Sequence, residues 1–241
     1  MNRPKMILFD YGQTISNEGK FNGIKGTTAV MEHAIENVRG LTPEEVQAEA
    51  DAINTEMGRI DPASRTQMKF EVPNHMFTAY LYELCGIKLD LPASEIDRIF
   101  WDASAPWTPS EGIEDFLEFL HKAGIRTAVL SNICYDPGVV KDRIQKVVPN
   151  NHFEFVVATS EYLYRKPHRR IFEFALMKAG LKPEEVWYVG DNYVCDVEGA
   201  RNAGMTPIWY KGAIDFYQPD HNDVTTVTSW KELEEILNNL E

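Results

Sequence analysis

Ile7-Leu8-Phe9-Asp10-Tyr11-Gly12-Gln13-Thr14 is an apolar run that breaks off at a carboxylate. Two later runs do the same with other oxygen-bearing residues: Thr127-Ala128-Val129-Leu130 ends in Ser131-Asn132, and Val186-Trp187-Tyr188-Val189 ends in Gly190-Asp191. Short, continuous apolar stretches suit strands of a parallel sheet buried on both faces. Open sheets of that kind bind ligands outside the carboxyl ends of their strands. The three polar tips are therefore expected to meet at one place. Between the second and third lies Arg165-Lys166-Pro167, a cation followed by a residue that cannot continue a strand or a helix interior.

Outward from these runs, the chain alternates helix and strand after Pro109. Residues 111–123 read as a helix stopped by Gly124, 125–130 as a strand and 171–179 as a helix ended by Gly180. Residues 153–158, 186–189 and 207–210 read as further strands, 225–228 as a last one, and 230–240 as a final helix. That alternation predicts an α/β fold, a doubly wound, Rossmann-like parallel sheet with right-handed crossovers. Between about residues 27 and 101 the pattern is helical instead. Helices are expected over 29–38, from 42 onward, over 74–84 and over 92–103, with Thr42, Pro43 and Glu45 forming a capping box. The expected organisation is a core built from residues 1–16 and 107–241, with an all-helical cap domain at 17–106 joined through Gly-, Asn-, Ser- and Pro-rich hinges near 17–26 and 105–109.

Composition narrows the function. With 44% hydrophobic and 25% charged residues, the chain is an ordinary globular protein. A formal net charge of -13 argues against a broad nucleic-acid surface, which needs clustered Lys and Arg. A small anionic metabolite remains compatible, because a local site around Lys166 can be positive inside an acidic protein. Cys85, Cys134 and Cys195 are widely spaced with no CxxC pair, which fits a reducing compartment and no structural zinc. Cys195 reads as a loop or helix-start residue rather than a nucleophile. No run approaches the roughly 20 apolar residues of a membrane-spanning helix, and no signal-peptide pattern precedes Met6. The expected location is cytoplasmic, as a monomer or homodimer without membrane partners.

The order of Asp10, Ser131, Lys166, Asp191 and Asp196, with the specific stretch from Gly190-Asp191 through Asp196-Val197-Glu198-Gly199-Ala200-Arg201-Asn202-Ala203-Gly204, resembles the haloacid dehalogenase superfamily over nearly the whole chain. Most members are magnesium-dependent phosphatases that work through an aspartyl-phosphate. The resemblance implies Asp10 as nucleophile, a role a carboxylate can fill. Mg2+ would be held by Asp10, Asp191 and the backbone carbonyl of Gly12, with Asp196 behind them or reaching the ion through water. Carboxylates at neighbouring strand tips suit such a hard cation. Ser131 and Lys166 would bind the transferring phosphoryl group, and the Asn132 N–H would add a donor. Taken singly, Ser131 reads as a helix cap, Lys166 as a solvated side chain and Asp191 as a turn residue. Their joint order at strand ends favours the site.

Gly12 departs from the family pattern. Phosphatases of this superfamily usually carry an aspartate there, the general acid for the leaving group and then the base for water. Losing a positioned acid or base costs about 10²–10⁴ in rate. Four readings fit the gap. The chain is a phosphatase of a small phosphorylated metabolite using another acid (Tyr11, water on Gln13, His33 or His75) or a substrate that needs none. It is a phosphonate hydrolase forming a Schiff base on a cap lysine, from Lys20, Lys25, Lys69 and Lys88. It is a carbon–halogen dehalogenase, which fits the Gly190-Asp191 signature less well. Or it is a catalytically impaired binding or regulatory protein. Lid contacts to the substrate are sought among Lys20, Arg65, Lys69 and His75.

Overall fold

A computed structural model describes residues 1–213 and 221–240. In chain order it contains β1 (Met6–Phe9), β2 (Ser16–Glu18), α1 (Gly23–Met31), β3 (Ala34–Asn37), α2 (Pro43–Glu56), α3 (Pro62–Gln67), α4 (Asn74–Cys85), β4 (Ile87–Leu89), α5 (Ala93–Ser104) and β5 (Trp107–Pro109). These are followed by α6 (Ile113–Lys122), β6 (Arg126–Ser131), α7 (Pro137–Val147), β7 (Phe153–Ala158), α8 (Arg169–Ala179), β8 (Val186–Gly190), α9 (Gly199–Asn202), β9 (Thr206–Tyr210), β10 (Thr225–Val227) and α10 (Trp230–Asn238).

Six strands form one parallel sheet in the order β10-β9-β8-β1-β6-β7. From β1 the chain winds outward through β6 and β7, then returns to β8 on the other side of β1. The direction of winding therefore reverses beside β1, the place where doubly wound sheets open a crevice for ligands. Alternate side chains of each strand feed two cores, as the pleat requires. Ile7, Phe9, Val129, Trp187, Val189, Ile208 and Tyr210 point to the face covered by α6, α7 and α10. Met6, Leu8, Ala128, Leu130 and Tyr188 point to the face covered by α8 and α9. Phe9 is fully buried against Phe116 and Trp230, a burial that contributes about 1.5–3 kcal/mol.

The stretch between β1 and α6 builds a third apolar cluster from Val30, Val46, Ala50, Leu81, Tyr82, Cys85, Ile87 and Ile96. Its helix α2 begins as the sequence predicts: Thr42 Oγ1 accepts from the Glu45 N–H, and Glu45 Oε2 accepts from the Thr42 N–H at 2.8 Å. The all-helical expectation needs correcting here. Helix α1 ends at Met31, and residues 34–37 form β3, paired antiparallel with β4 so that Ala34 faces Leu89 and Asn37 faces Ile87. Ile35 and Val38, which fall inside the helix expected over 29–38, are exposed. The two expected hinges are also more ordered than their composition suggests. β2 and β5 pair antiparallel, Ser16 opposite Pro109 and Glu18 opposite Trp107. No helix among the described residues is long and apolar enough to cross a membrane.

Candidate active site

The backbone directly after β1 places the first carboxylate. The Asp10 N–H donates to the Val189 carbonyl of β8 at 2.8 Å, so Asp10 stands at the seam between those strands. The chain then turns tightly: the Ile15 and Ser16 N–H groups both donate to the Tyr11 carbonyl at 3.0 Å, and Gln13 takes a positive φ of 54°. Gly12 has no positive φ, so its backbone does not demand glycine.

Lys166 lies almost wholly buried at the centre. Its Nζ donates to Asp10 Oδ1 at 2.7 Å, Asp196 Oδ1 at 2.6 Å and the Tyr188 hydroxyl at 2.7 Å. The Tyr188 hydroxyl in turn donates to the Leu130 carbonyl at 2.7 Å. Burial opposes the ammonium charge, but Asp10 and Asp196 outweigh it and hold Lys166 well above its ordinary pKa. Its backbone is fixed by Asn132, which bonds both its N–H and its carbonyl.

After β8, a π-helical turn over Tyr193–Glu198 swings Asp196 back beneath the strand end; such turns recur at functional sites. Asn192 opens the turn by accepting from the Cys195 N–H at 2.9 Å, the helix-start role expected for that segment. Burial pushes the Cys195 thiol up to about 12, so it stays protonated. Asp196 Oδ2 accepts from the Asn192 N–H at 2.8 Å while Oδ1 holds Lys166, so protein donors occupy both oxygens. The close fit explains Gly190: a Cβ there would lie 2.4 Å from the Asp196 carboxylate.

Ligand oxygens of Asp10, Asp191 and Asp196 all lie within 4.8 Å of one another. Burial, then Asp196 and Asp10, push the Asp191 carboxyl well above its usual range. Burial raises Asp196 to about 6 despite the pull of Lys166. Three carboxylates gathered around one ammonium make a site that a bound cation would stabilise. The donors are all oxygen, which fits a hard divalent ion.

These groups form the floor of a cavity of about 780 Å³. Asp10, Gly12, Ser131, Asn132, Lys166, Asp191 and Asp196, all singled out in the sequence, line it together. Its roof comes from α2, α4, α5 and the residues around α3. Of the expected lid contacts, Arg65 lines the cavity, whereas Lys20, Lys69 and His75 do not. Roof and floor meet at a buried group that the sequence reading missed. Glu71 pairs with Arg165 and accepts from Thr159 Oγ1 at 2.7 Å, while the Asn74 N–H donates to the Cys134 carbonyl at 2.8 Å. Also missed were Tyr188, which periodicity marked only as a core strand residue, and Glu18, a polar residue in a presumed hinge.

Residues 4–204 match the haloacid dehalogenase-like hydrolase family. The chain belongs to this family of hydrolases. It is 34% identical over 131 residues to the human haloacid dehalogenase-like hydrolase domain-containing protein 3, a match covering 52% of this chain and 49% of that protein. It is 34% identical over 126 residues to a glyceraldehyde 3-phosphate phosphatase of Methanothermobacter thermautotrophicus, covering 49% and 54%. The chain spans about half the length of the curated relatives it matches. Among solved structures, the 2-haloacid dehalogenase of Pseudomonas syringae pv. Tomato DC3000 superimposes with a TM-score of 0.65 over 98% of both chains at 18% identity, a likeness of fold.

Proposed function

We propose that this hydrolase is a phosphatase of a small phosphorylated metabolite, working with Mg2+ through an aspartyl-phosphate on Asp10. The observation that carries this reading is the buried Lys166 ammonium joining Asp10 to Asp196, with Asp191 beside them at a sheet switch point. Phosphoryl transfer needs a nucleophile held in place and charge stabilisation around the phosphoryl oxygens. Lys166 serves both needs: it fixes one oxygen of Asp10 and keeps a positive charge beside it. Asp10, Asp191 and the Gly12 carbonyl would hold the magnesium ion, which when bound neutralises phosphoryl oxygens. Asp196, with both oxygens engaged by the protein, acts behind these ligands and steers Lys166. Ser131 and the Asn132 N–H bind the phosphoryl group. Residues 17–106 act as the lid over a core of 1–16 and 107–241 and exclude water from the reaction. Relatives named as phosphatases, including a Thermus thermophilus phosphoserine phosphatase 35% identical over 96 residues, support the reaction class. The phosphonate-hydrolase alternative finds no support, because none of Lys20, Lys25, Lys69 and Lys88 lines the cavity.

The test is phosphate release from a panel of aryl, acyl and alkyl phosphates, with and without Mg2+, for the parent and for Asp10→Asn. The expected result is Mg2+-dependent turnover that Asp10→Asn abolishes. A second readout is thermal melting: Mg2+ at a hundredfold excess over its Kd stabilises by about 2.7 kcal/mol, an effect that Asp191→Asn diminishes. No turnover on any substrate from folded, Mg2+-binding protein would overturn the phosphatase reading and favour a binding role.

A further inference from the structure

A phosphatase with glycine at position 12 needs another proton donor to cleave an alkyl phosphate, and the candidates visible in the sequence fail on position or are engaged elsewhere. His33 and His75 are exposed and line no part of the cavity. The Tyr11 hydroxyl is buried and accepts from Arg143 Nε at 3.2 Å. Gln13 carries an amide with no acidic proton, and its Nε2 is spent on the Glu18 carbonyl at 2.8 Å.

A carboxyl group nonetheless stands at the vacant position. A Cβ built on Gly12 meets a single atom within 4 Å outside its chain neighbours, and that atom is Glu18 Oε2 at 3.6 Å. Glu18 lines the cavity with Asp10. Among the described residues its Oε1 is buried without a hydrogen-bond partner. Its backbone is fixed twice, by the amide of Gln13 and by pairing opposite Trp107. Two neighbours hold the carboxyl in place: Arg143 pairs with it, and Trp101 hydrogen-bonds it. Arg143 Nη2 lies 3.7 Å from Glu18 Oε1, while Arg143 already bonds Asp102 at 2.9 Å, Tyr11 and the Ala105 carbonyl, and lies over the Trp101 ring.

We infer that Glu18 is the acid–base residue of this site, reaching across space to the position that a side chain on residue 12 would fill. The inference rests on the phosphatase reading above and adds a substrate class, alkyl phosphates, whose poor leaving groups need a proton. In the first step an Asp10 oxygen forms a bond to phosphorus, the bond from phosphorus to the alkoxy oxygen breaks, and protonated Glu18 gives its proton to that oxygen, releasing the alcohol. In the second step water forms a bond to phosphorus and loses a proton to the Glu18 carboxylate. The bond from phosphorus to Asp10 breaks, phosphate leaves, and both side chains return to their starting states.

The experiment compares parent, Glu18→Gln, Gly12→Asp and the double variant on alkyl phosphates and on p-nitrophenyl phosphate, with melting curves to establish folding and acid quench to trap protein-bound phosphate. Glu18→Gln is expected to lower alkyl turnover by about 10²–10⁴-fold. Its nitrophenol burst should stay within about tenfold of the parent, while phosphate accumulates on Asp10 for want of a base. Gly12→Asp in that background should recover alkyl turnover, and Gly12→Asp alone should add little to a site that already has its acid. Glu18→Gln turning over both substrate classes in the parent's ratio with no trapped phosphate would overturn the inference. So would a parent active on aryl phosphates alone, or a large alkyl gain from Gly12→Asp alone. A parent inactive on every phosphate is a different result, and it removes the phosphatase reading itself.

Discussion

Asn132 grips the backbone of Lys166 from both sides: its Nδ2 donates to the Lys166 carbonyl at 2.9 Å, and its Oδ1 accepts from the Lys166 N–H at 2.8 Å. The loop before α8 is thereby tied to the end of β6, and the ammonium is aimed by a residue from a neighbouring strand tip. Asn132→Ala leaves two backbone groups without these partners, at a cost of about 1–3 kcal/mol. We expect a lower urea midpoint with an unchanged m-value, and a fall in kcat larger than any change in KM.

Lys166→Met is expected to be more severe. It leaves Asp10 and Asp196 buried beside an apolar side chain where an ammonium had bonded both. Removing one partner from a buried ion pair costs about 3–5 kcal/mol. Urea unfolding should show that loss, and phosphate release should vanish. A variant as stable as the parent would show that the ammonium contributes little to holding the two acids together.

Gly190→Ala should damage the site through shape alone. The new Cβ would stand 2.4 Å from the Asp196 Cγ and Oδ2, so the carboxylate has to leave its bonds to Lys166 and the Asn192 N–H. Overpacking of this kind costs about 1–3 kcal/mol. The expected outcome is a folded, less stable protein with strongly reduced turnover, measured by melting and phosphate release on the same sample.

Tyr11→Phe separates structure from proton transfer. Burial pushes the Tyr11 hydroxyl up to about 12, with Glu18 adding to the rise, so the phenol is neutral across the working range. The variant should lose about 1 kcal/mol with the bond from Arg143 and keep the shape of its pH–rate profile between about pH 5 and 9. Because the folded phenol ionises later than the unfolded one, the unfolded state releases its proton first as pH rises from about 10 to 12. The parent should lose stability relative to Tyr11→Phe in that window and nowhere below it. A large loss of alkyl turnover with aryl turnover spared would return Tyr11 to the list of proton donors.

The parts of the fold legible in the sequence were those fixed by local pattern. Residues 153–158 read as a strand and are β7, and the Thr42–Glu45 box opens α2. The polar tips at Asp10, Ser131 and Asp191 do converge, because three parallel strands in register must end on the same side. What escaped was set by pairing between distant segments. Residues 34–37 became a strand through contact with 87–89, and no periodicity within either stretch announces the other. Tyr188 alternates as a core residue should, and only the fold puts its hydroxyl against Lys166. Glu18 faces the cavity because Glu18 pairs with Trp107, far along the chain. Gly12 departs from the pattern that the family resemblance leads one to expect, and nothing in the spacing pointed to Glu18 beside it.

The β2–β5 ribbon has one further consequence. Since Glu18 sits opposite Trp107, the long excursion between β1 and α6 leaves and rejoins the sheet through two adjacent strands. Its middle is tied to the floor separately, where Glu71 pairs with Arg165 and the Asn74 N–H donates to the Cys134 carbonyl. The roof therefore hangs on the sheet like a flap on a two-strand hinge with a latch at its far side, and breaking the latch would leave the register of the six-stranded sheet untouched.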